Sequence, residues 1–104
     1  MWNVNGNTIR MVEGEYGVDL PLTVNGTTLT ASDELRLAIK QDGQTVLEKT
    51  YADIVDNTIN VRLTEAESSA LRVGKYRYSI AWYQEGFFLC YLIDKALFEV
   101  VSAA

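Results

Sequence analysis

The chain has no histidine, one cysteine and one proline, and its longest apolar run is Phe87 to Ile93. Without histidine, the Ser–His–Asp and Cys–His arrangements lack their general base, and nearly every zinc or non-haem iron site lacks its imidazole. A single cysteine precludes an internal disulfide, so nothing in the chain calls for an oxidising compartment. The apolar run is far shorter than the roughly 18–20 residues that cross a bilayer. The opening Met1-Trp2-Asn3-Val4-Asn5-Gly6-Asn7 has neither the basic nor the apolar region of a signal peptide. Positive charge is also scarce. Nine Lys and Arg against 14 Asp and Glu give a net charge of −5, which removes the electrostatic footprint for nucleic acid or an anionic membrane.

The 104 residues, 48% apolar and 22% charged, have the composition of one globular domain over 1–104, with residues 1–7 as an N-terminal arm. The dominant period is two. Ile9 to Glu13 and Val18 to Val24 alternate apolar with polar, as strands with one buried face do. Pro21 has no amide hydrogen to donate and places its strand at an edge, and Asn25-Gly26 supplies a turn. Leu35 to Ile39 and Thr45 to Tyr51 form a hairpin around Asp42-Gly43. A three-residue loop, Gln41-Asp42-Gly43, sets Leu37 opposite Leu47 and Arg36 opposite Glu48, and is preferred to a two-residue loop for those pairs.

Asn57 to Leu63 alternates again. Thr64-Glu65-Ala66-Glu67 is then a capping box, opening a short helix over Glu65 to Arg72 that Gly74 ends. Tyr76, Tyr78, Ile80 and Trp82 give the next strand a heavy aromatic face. Glu85-Gly86 turns it into Phe87 to Ile93, and Leu97 to Val101 closes the chain. Seven to eight short antiparallel strands with one short helix before the penultimate hairpin predict an all-β sandwich.

The stretch Leu63-Thr64 … Leu71-Arg72-Val73-Gly74-Lys75-Tyr76-Arg77-Tyr78-Ser79-Ile80 resembles the immunoglobulin-like domains of tailed-phage and prophage structural proteins, such as the N-terminal domains of baseplate upper proteins. Ile9-x-Met11 with Glu13-Gly14-Glu15, the strand Val18 to Val24, and Ala31-Ser32-Asp33-Glu34-Leu35-Arg36-Leu37 carry the same pattern. It departs from the family at Glu15, where an aspartate usually follows the glycine, and at Lys95-Ala96, where the family has a closing glycine. The resemblance implies an immunoglobulin-like β-sandwich made in the bacterial cytoplasm and assembled into a virion. It implies no catalysis and no cofactor. The implied partners are other virion proteins, further copies of itself, or both. It also implies a tyrosine bonded to backbone at the corner after the helix, a role that Tyr76 or Tyr78 fits.

No residue pattern points to chemistry. The pairs Glu13/Glu15, Asp33/Glu34, Asp53/Asp56 and Glu65/Glu67 read as solvated loop and cap charges rather than a desolvated acid–base pair. Asp53, Asp56 and Asn57 do not follow calcium-loop spacing and read as Asx turns. Ser68-Ser69 lacks a nucleophile context, and Cys90 reads as a partly buried structural thiol. No catalytic, cofactor or metal residue is assigned.

The informative anomaly is the last hairpin. With a two-residue Glu85-Gly86 loop, Trp82 pairs with Leu89, Ile80 with Tyr91 and Tyr78 with Ile93 on the core face. The other face then carries Tyr83 beside Phe88, Ala81 beside Cys90 and Ser79 beside Leu92. An outer sheet face is expected to be polar. Tyr83, Phe88, Leu92, Ala81 and Cys90 are therefore the candidate interface, covered either by the Met1-Trp2-Asn3-Val4 arm or by a partner. An alternative from the same residues is a glycan- or ligand-binding sandwich, with Trp2, Trp82 or Tyr83 stacking on a sugar ring.

Overall fold

The computed structural model of the chain describes residues 3–103, and the side chains of 6–103. Its strands are β1 (Asn3–Asn5), β2 (Thr8–Val12), β3 (Leu20–Thr23), β4 (Asp33–Gln41), β5 (Gln44–Tyr51), β6 (Thr58–Val61), β7 (Gly74–Gln84) and β8 (Phe87–Val101), with helix α1 (Glu65–Ser69) between β6 and β7. A six-stranded sheet of order β1-β2-β8-β7-β4-β5 is accompanied by a two-stranded sheet, β3-β6. Period-two alternation decides which face of each strand is buried: Leu35, Leu37 and Ile39 of β4 and Ile59 and Val61 of β6 all enter one core with Met11, Tyr78, Phe98 and Val100. The result is an all-β sandwich. The runs β8-β7-β4-β5 and β3-β6 match the G-F-C-C′ and B-E pairings of immunoglobulin-like sandwiches.

Pro21 lies in β3, which among the described residues pairs only with β6 and is an edge strand, as its missing N–H requires. The capping box forms as the sequence predicts: the Thr64 hydroxyl accepts from the Glu67 amide, and the Glu67 carboxylate accepts from the Thr64 amide. Burial opposes ionisation of Glu67, but the Thr64 amide and the Lys49 ammonium at 2.9 Å outweigh it and hold its pKa below the ordinary value. The helix ends at Ser69 rather than Arg72. Leu71, 1% exposed, turns into the core, and its amide bonds the Ser68 carbonyl in a tightened last turn. At the corner that follows, Tyr76 Oη donates to the Arg72 carbonyl at 2.8 Å and Tyr78 Oη to the Asn7 carbonyl.

Four expectations need correction. β2 lies parallel to β8, from Ile9 beside Phe98 to Val12 beside Val101, so the sandwich is not wholly antiparallel. The two segments Phe87–Ile93 and Leu97–Val101 are one bent strand, β8. In the β4–β5 hairpin the loop is two residues: Asp42 and Gly43 both take positive φ, 52° and 79°, the pair a tight loop with the right twist needs. A register shift after Ile39 leaves Val46 extra, so Leu37 faces Lys49, Arg36 faces Thr50 and Ile39 faces Leu47. Finally Asp33, expected as a solvated loop charge, is 1% exposed.

Ser68 is 2% exposed, and its hydroxyl has no hydrogen-bond partner among the described residues. A buried hydroxyl that bonds nothing carries its full desolvation cost. Ser68→Ala is therefore expected to raise unfolding free energy by about 1 kcal/mol in urea titration. A loss of stability would show that the hydroxyl is satisfied.

Candidate protein-interaction surface

The β7–β8 hairpin is built by its turn and bent by its bulges. Glu85 and Gly86 take φ of 51° and 84°, closing a two-residue loop that pairs Gln84 with Phe87 and Tyr83 with Phe88. Beyond that point β8 carries extra residues. Trp82 faces Cys90, Ala81 faces Tyr91, Ile80 faces Ile93 and Tyr78 faces Ala96, with three register shifts. Each bulge moves the rest of the strand by one residue relative to its partner.

This redistributes the candidate residues. Tyr83 and Phe88 are together on the outer sheet face, as expected, their rings 5.6 Å apart and edge-to-face. Tyr91, expected in the core, takes the outer place assigned to Cys90 and packs against Phe88 at 5.1 Å. Ala81 is buried between them at 7% exposure, and the Arg36 guanidinium lies 3.7 Å from the Tyr83 ring centre. Cys90 instead shares the register position of Trp82 and is exposed. Leu92 does not join Ser79. It borders, with Ile93, a cleft of about 310 Å³ between the sheets that Leu22, Leu35, Ile59 and Ile80 also line.

The sum is a surface rather than a buried face. Phe87, Phe88, Leu89, Tyr91 and Leu92 are 75%, 48%, 46%, 54% and 36% exposed. No charged side chain interrupts Phe87 to Ile93. The edge beside them is also open: β2 joins β8 only from Phe98 to Val101, and no other described strand pairs along β8 on that side. Large exposed side chains along an unpaired strand edge are the signature of a contact site. The N-terminal arm does not provide cover where it is described. Asn3 to Asn5 pair with Arg10 to Thr8, on the side of β2 away from β8; Met1 and Trp2 lie outside the described residues.

The root of this hairpin is fixed by a residue that sequence reasoning passed over. One carboxylate oxygen of Asp33 accepts from Trp82 Nε1 at 2.9 Å and Gln84 Nε2 at 3.2 Å. The other accepts from the Thr30 amide at 2.6 Å and the Thr30 hydroxyl at 3.2 Å. The Glu85 amide adds a bond to the Ser32 carbonyl. The Thr30 amide first, and the Trp82 indole next, hold the Asp33 pKa below the ordinary aspartate value. The signal in the sequence was Thr30-x-x-Asp33 at a strand entry, a spacing at which a carboxylate can bond back to the turn. With its indole N–H committed to Asp33, Trp82 is a structural residue, and Tyr83 is overlaid by Arg36.

Elsewhere the polar clusters are structural. Asn57 Oδ1 accepts from the Leu29 amide, while its Nδ2 donates to the Val24 and Thr27 carbonyls, stapling the β3–β4 connection. Asp53 and Asp56 sit in the left-handed conformation that Asx turns tolerate. Glu15 Oε1 accepts from the Val12 amide. Among the described residues no group of three or more His, Cys, Asp or Glu side chains is placed to hold a metal, and no helix is long and apolar enough to cross a membrane.

Comparison with family models, with curated proteins and with solved structures finds no match for this chain.

Proposed function

We propose that this chain is a non-catalytic structural module of a tailed-phage or prophage particle, acting in tail or baseplate assembly through protein–protein contacts. The observation that carries the contact reading is the exposed apolar run Phe87 to Leu92 on the open edge of β8. A water-facing surface of this kind costs solubility unless a partner covers it. The particle reading is supported by the resemblance of Leu63 to Ile80, with its capping box and paired tyrosines, to phage immunoglobulin-like domains. The acidic balance suits a protein that packs against other proteins rather than against nucleic acid.

The test is incorporation. Particles induced from a host carrying the gene and banded on a density gradient are expected to contain the chain by mass spectrometry. A Phe87→Asp/Tyr91→Asp variant, folded by circular dichroism because both side chains are exposed, is expected to be lost from the particle band. Absence of the wild-type chain from the particles overturns the virion reading. Undiminished incorporation of the variant overturns the assignment of the contact to β8.

A further inference from the structure

We infer that Asn25-Gly26 is a site of spontaneous covalent modification, where the Asn25 side chain loses ammonia and water converts it to aspartate and isoaspartate. The inference concerns the connection between β3 and β4 and is independent of what covers β8. An asparagine followed by glycine is the pair best suited to this reaction. Glycine has no Cβ to obstruct the approach of its own nitrogen to the side chain before it. The sequence has two such pairs, Asn5-Gly6 and Asn25-Gly26. Asn5-Gly6 enters the tight turn in which Asn5 pairs with Thr8. Asn25-Gly26 lies past the end of β3, outside every described strand and helix.

Its reacting groups are uncommitted. Both residues are exposed, and among the described residues neither the Asn25 side chain nor the Gly26 amide makes a hydrogen bond. Gly26 has a φ of 91°, and nothing stands within 4 Å of where a Cβ would be. The chain is anchored on either side instead, by Asn57 at Val24 and Thr27. Asn57 itself is spent on those bonds, and Asn60 is held in β6 opposite Pro21 and followed by Val61. The nucleophile and its target are therefore neighbours that need only a local rotation to meet. The Gly26 nitrogen attacks Asn25 Cγ; the new N–Cγ bond replaces Cγ–Nδ2, and ammonia leaves with the Gly26 amide proton. The five-membered imide then takes up one water. Opening at Cγ gives aspartate, and opening at the main-chain carbonyl of Asn25 gives isoaspartate. Either product adds a negative charge to a chain already at −5, at the rim of the cleft that Asn25 shares with Leu22, Leu92 and Ile93. The change is one-way and needs no enzyme, so its extent records how long the folded chain has stood.

The peptide from Met11 to Arg36, released by trypsin, contains Asn25 as its one amide side chain, so a gain in its mass reports that residue alone. When the folded chain stands in mildly alkaline buffer at body temperature, this peptide is expected to gain the mass of an amide-to-acid exchange and to accept methyl groups from isoaspartyl methyltransferase. The rate is expected to rise with hydroxide concentration and to lie close to that of the same chain unfolded in urea. Asn25→Gln, whose side chain would have to close a larger ring, is expected to abolish the change, with circular dichroism unaltered because the position is exposed. A folded chain that keeps Asn25 intact while the urea-unfolded chain converts overturns the inference, since the fold then holds the pair apart. A mass gain with no isoaspartate also overturns it, by excluding the imide, as does one that persists in Asn25→Gln.

Discussion

Phe98→Ala is expected to remove about 3–5 kcal/mol of unfolding free energy, against roughly 5–15 kcal/mol for a whole domain of this kind. Phe98 is 2% exposed and sits where three strands meet: opposite Tyr76 in β7, beside Ile9 in β2, and within β8 itself. Its ring packs edge-to-face on Tyr76 at 6.5 Å and on Tyr78 at 6.2 Å. The cost of a truncated core side chain depends on how far its neighbours can collapse into the void. Here they are held back, because Tyr76 Oη is tied to the Arg72 carbonyl and Tyr78 Oη to the Asn7 carbonyl. A cavity therefore remains, and the loss belongs near the upper end of the range. At about 4–8 °C per kcal/mol for a domain of this size, thermal unfolding is expected to fall by roughly 15–30 °C. Phe98→Leu, which refills part of the space, is expected to recover more than half of that. A loss below about 1 kcal/mol in urea titration would show that the aromatic group is not the joint of the sheet.

The parts of this arrangement that were legible in the sequence are the local ones. Thr64 and Glu67 satisfy each other across three residues, so their bond needs no tertiary partner to be predicted. The alternation of Leu35, Leu37 and Ile39 and of Tyr76, Tyr78 and Ile80 assigns faces within one strand, and all six are buried as predicted. What escaped is set by pairs of strands. The shift after Ile39 and the three in β7–β8 insert single residues whose cost and gain lie in the neighbouring strand. The uninterrupted apolar run Phe87 to Ile93 has no alternation to reveal them. One shift was enough to send Tyr91 outward and Cys90 to the Trp82 position. The parallel contact of β2 with β8 joins residues about ninety apart in the chain, where no short-range pattern reaches. The existence of an apolar surface on this hairpin was thus readable, whereas its membership required the register.

Asp33→Ala is the second large loss expected, about 3–4 kcal/mol, and it falls on the root of the proposed contact. The carboxylate is buried with four donors around it, and among the described residues no cation pairs with it. Removing it strands the Trp82 indole N–H and the Thr30 amide, each at roughly 1–3 kcal/mol, while Gln84, at the exposed end of β7, returns to water. Asp33→Asn keeps one acceptor oxygen toward Trp82 but turns an NH₂ group toward the Thr30 amide, so it is expected to lose less than alanine and more than nothing. The pH dependence distinguishes charge from shape. The folded pKa of Asp33 is depressed, by the Thr30 amide first and Trp82 next. Its stabilisation is therefore fully present above the unfolded value, near 3.9, and is lost as pH falls through the lower folded value. Glu15 and Glu67, also depressed, lose their contributions on the same side and are common to both chains. The gap in urea stability between wild type and Asp33→Asn is thus expected to be constant from pH 7 down to about 5 and to shrink steadily below about 4. A gap that is unchanged at low pH would mean that Asp33 acts by shape alone and that the Trp82 and Thr30 bonds do not favour the ionised form. If the gap closes while Trp82 fluorescence shifts toward that of the exposed indole, the same protonation frees the β7 side of the hairpin. The Phe87–Leu92 surface would then lose its rigid support before the core melts, because the bonds from Trp82 and Gln84 to Asp33 and from Glu85 to Ser32 are what hold that end of β7 to the entry of β4.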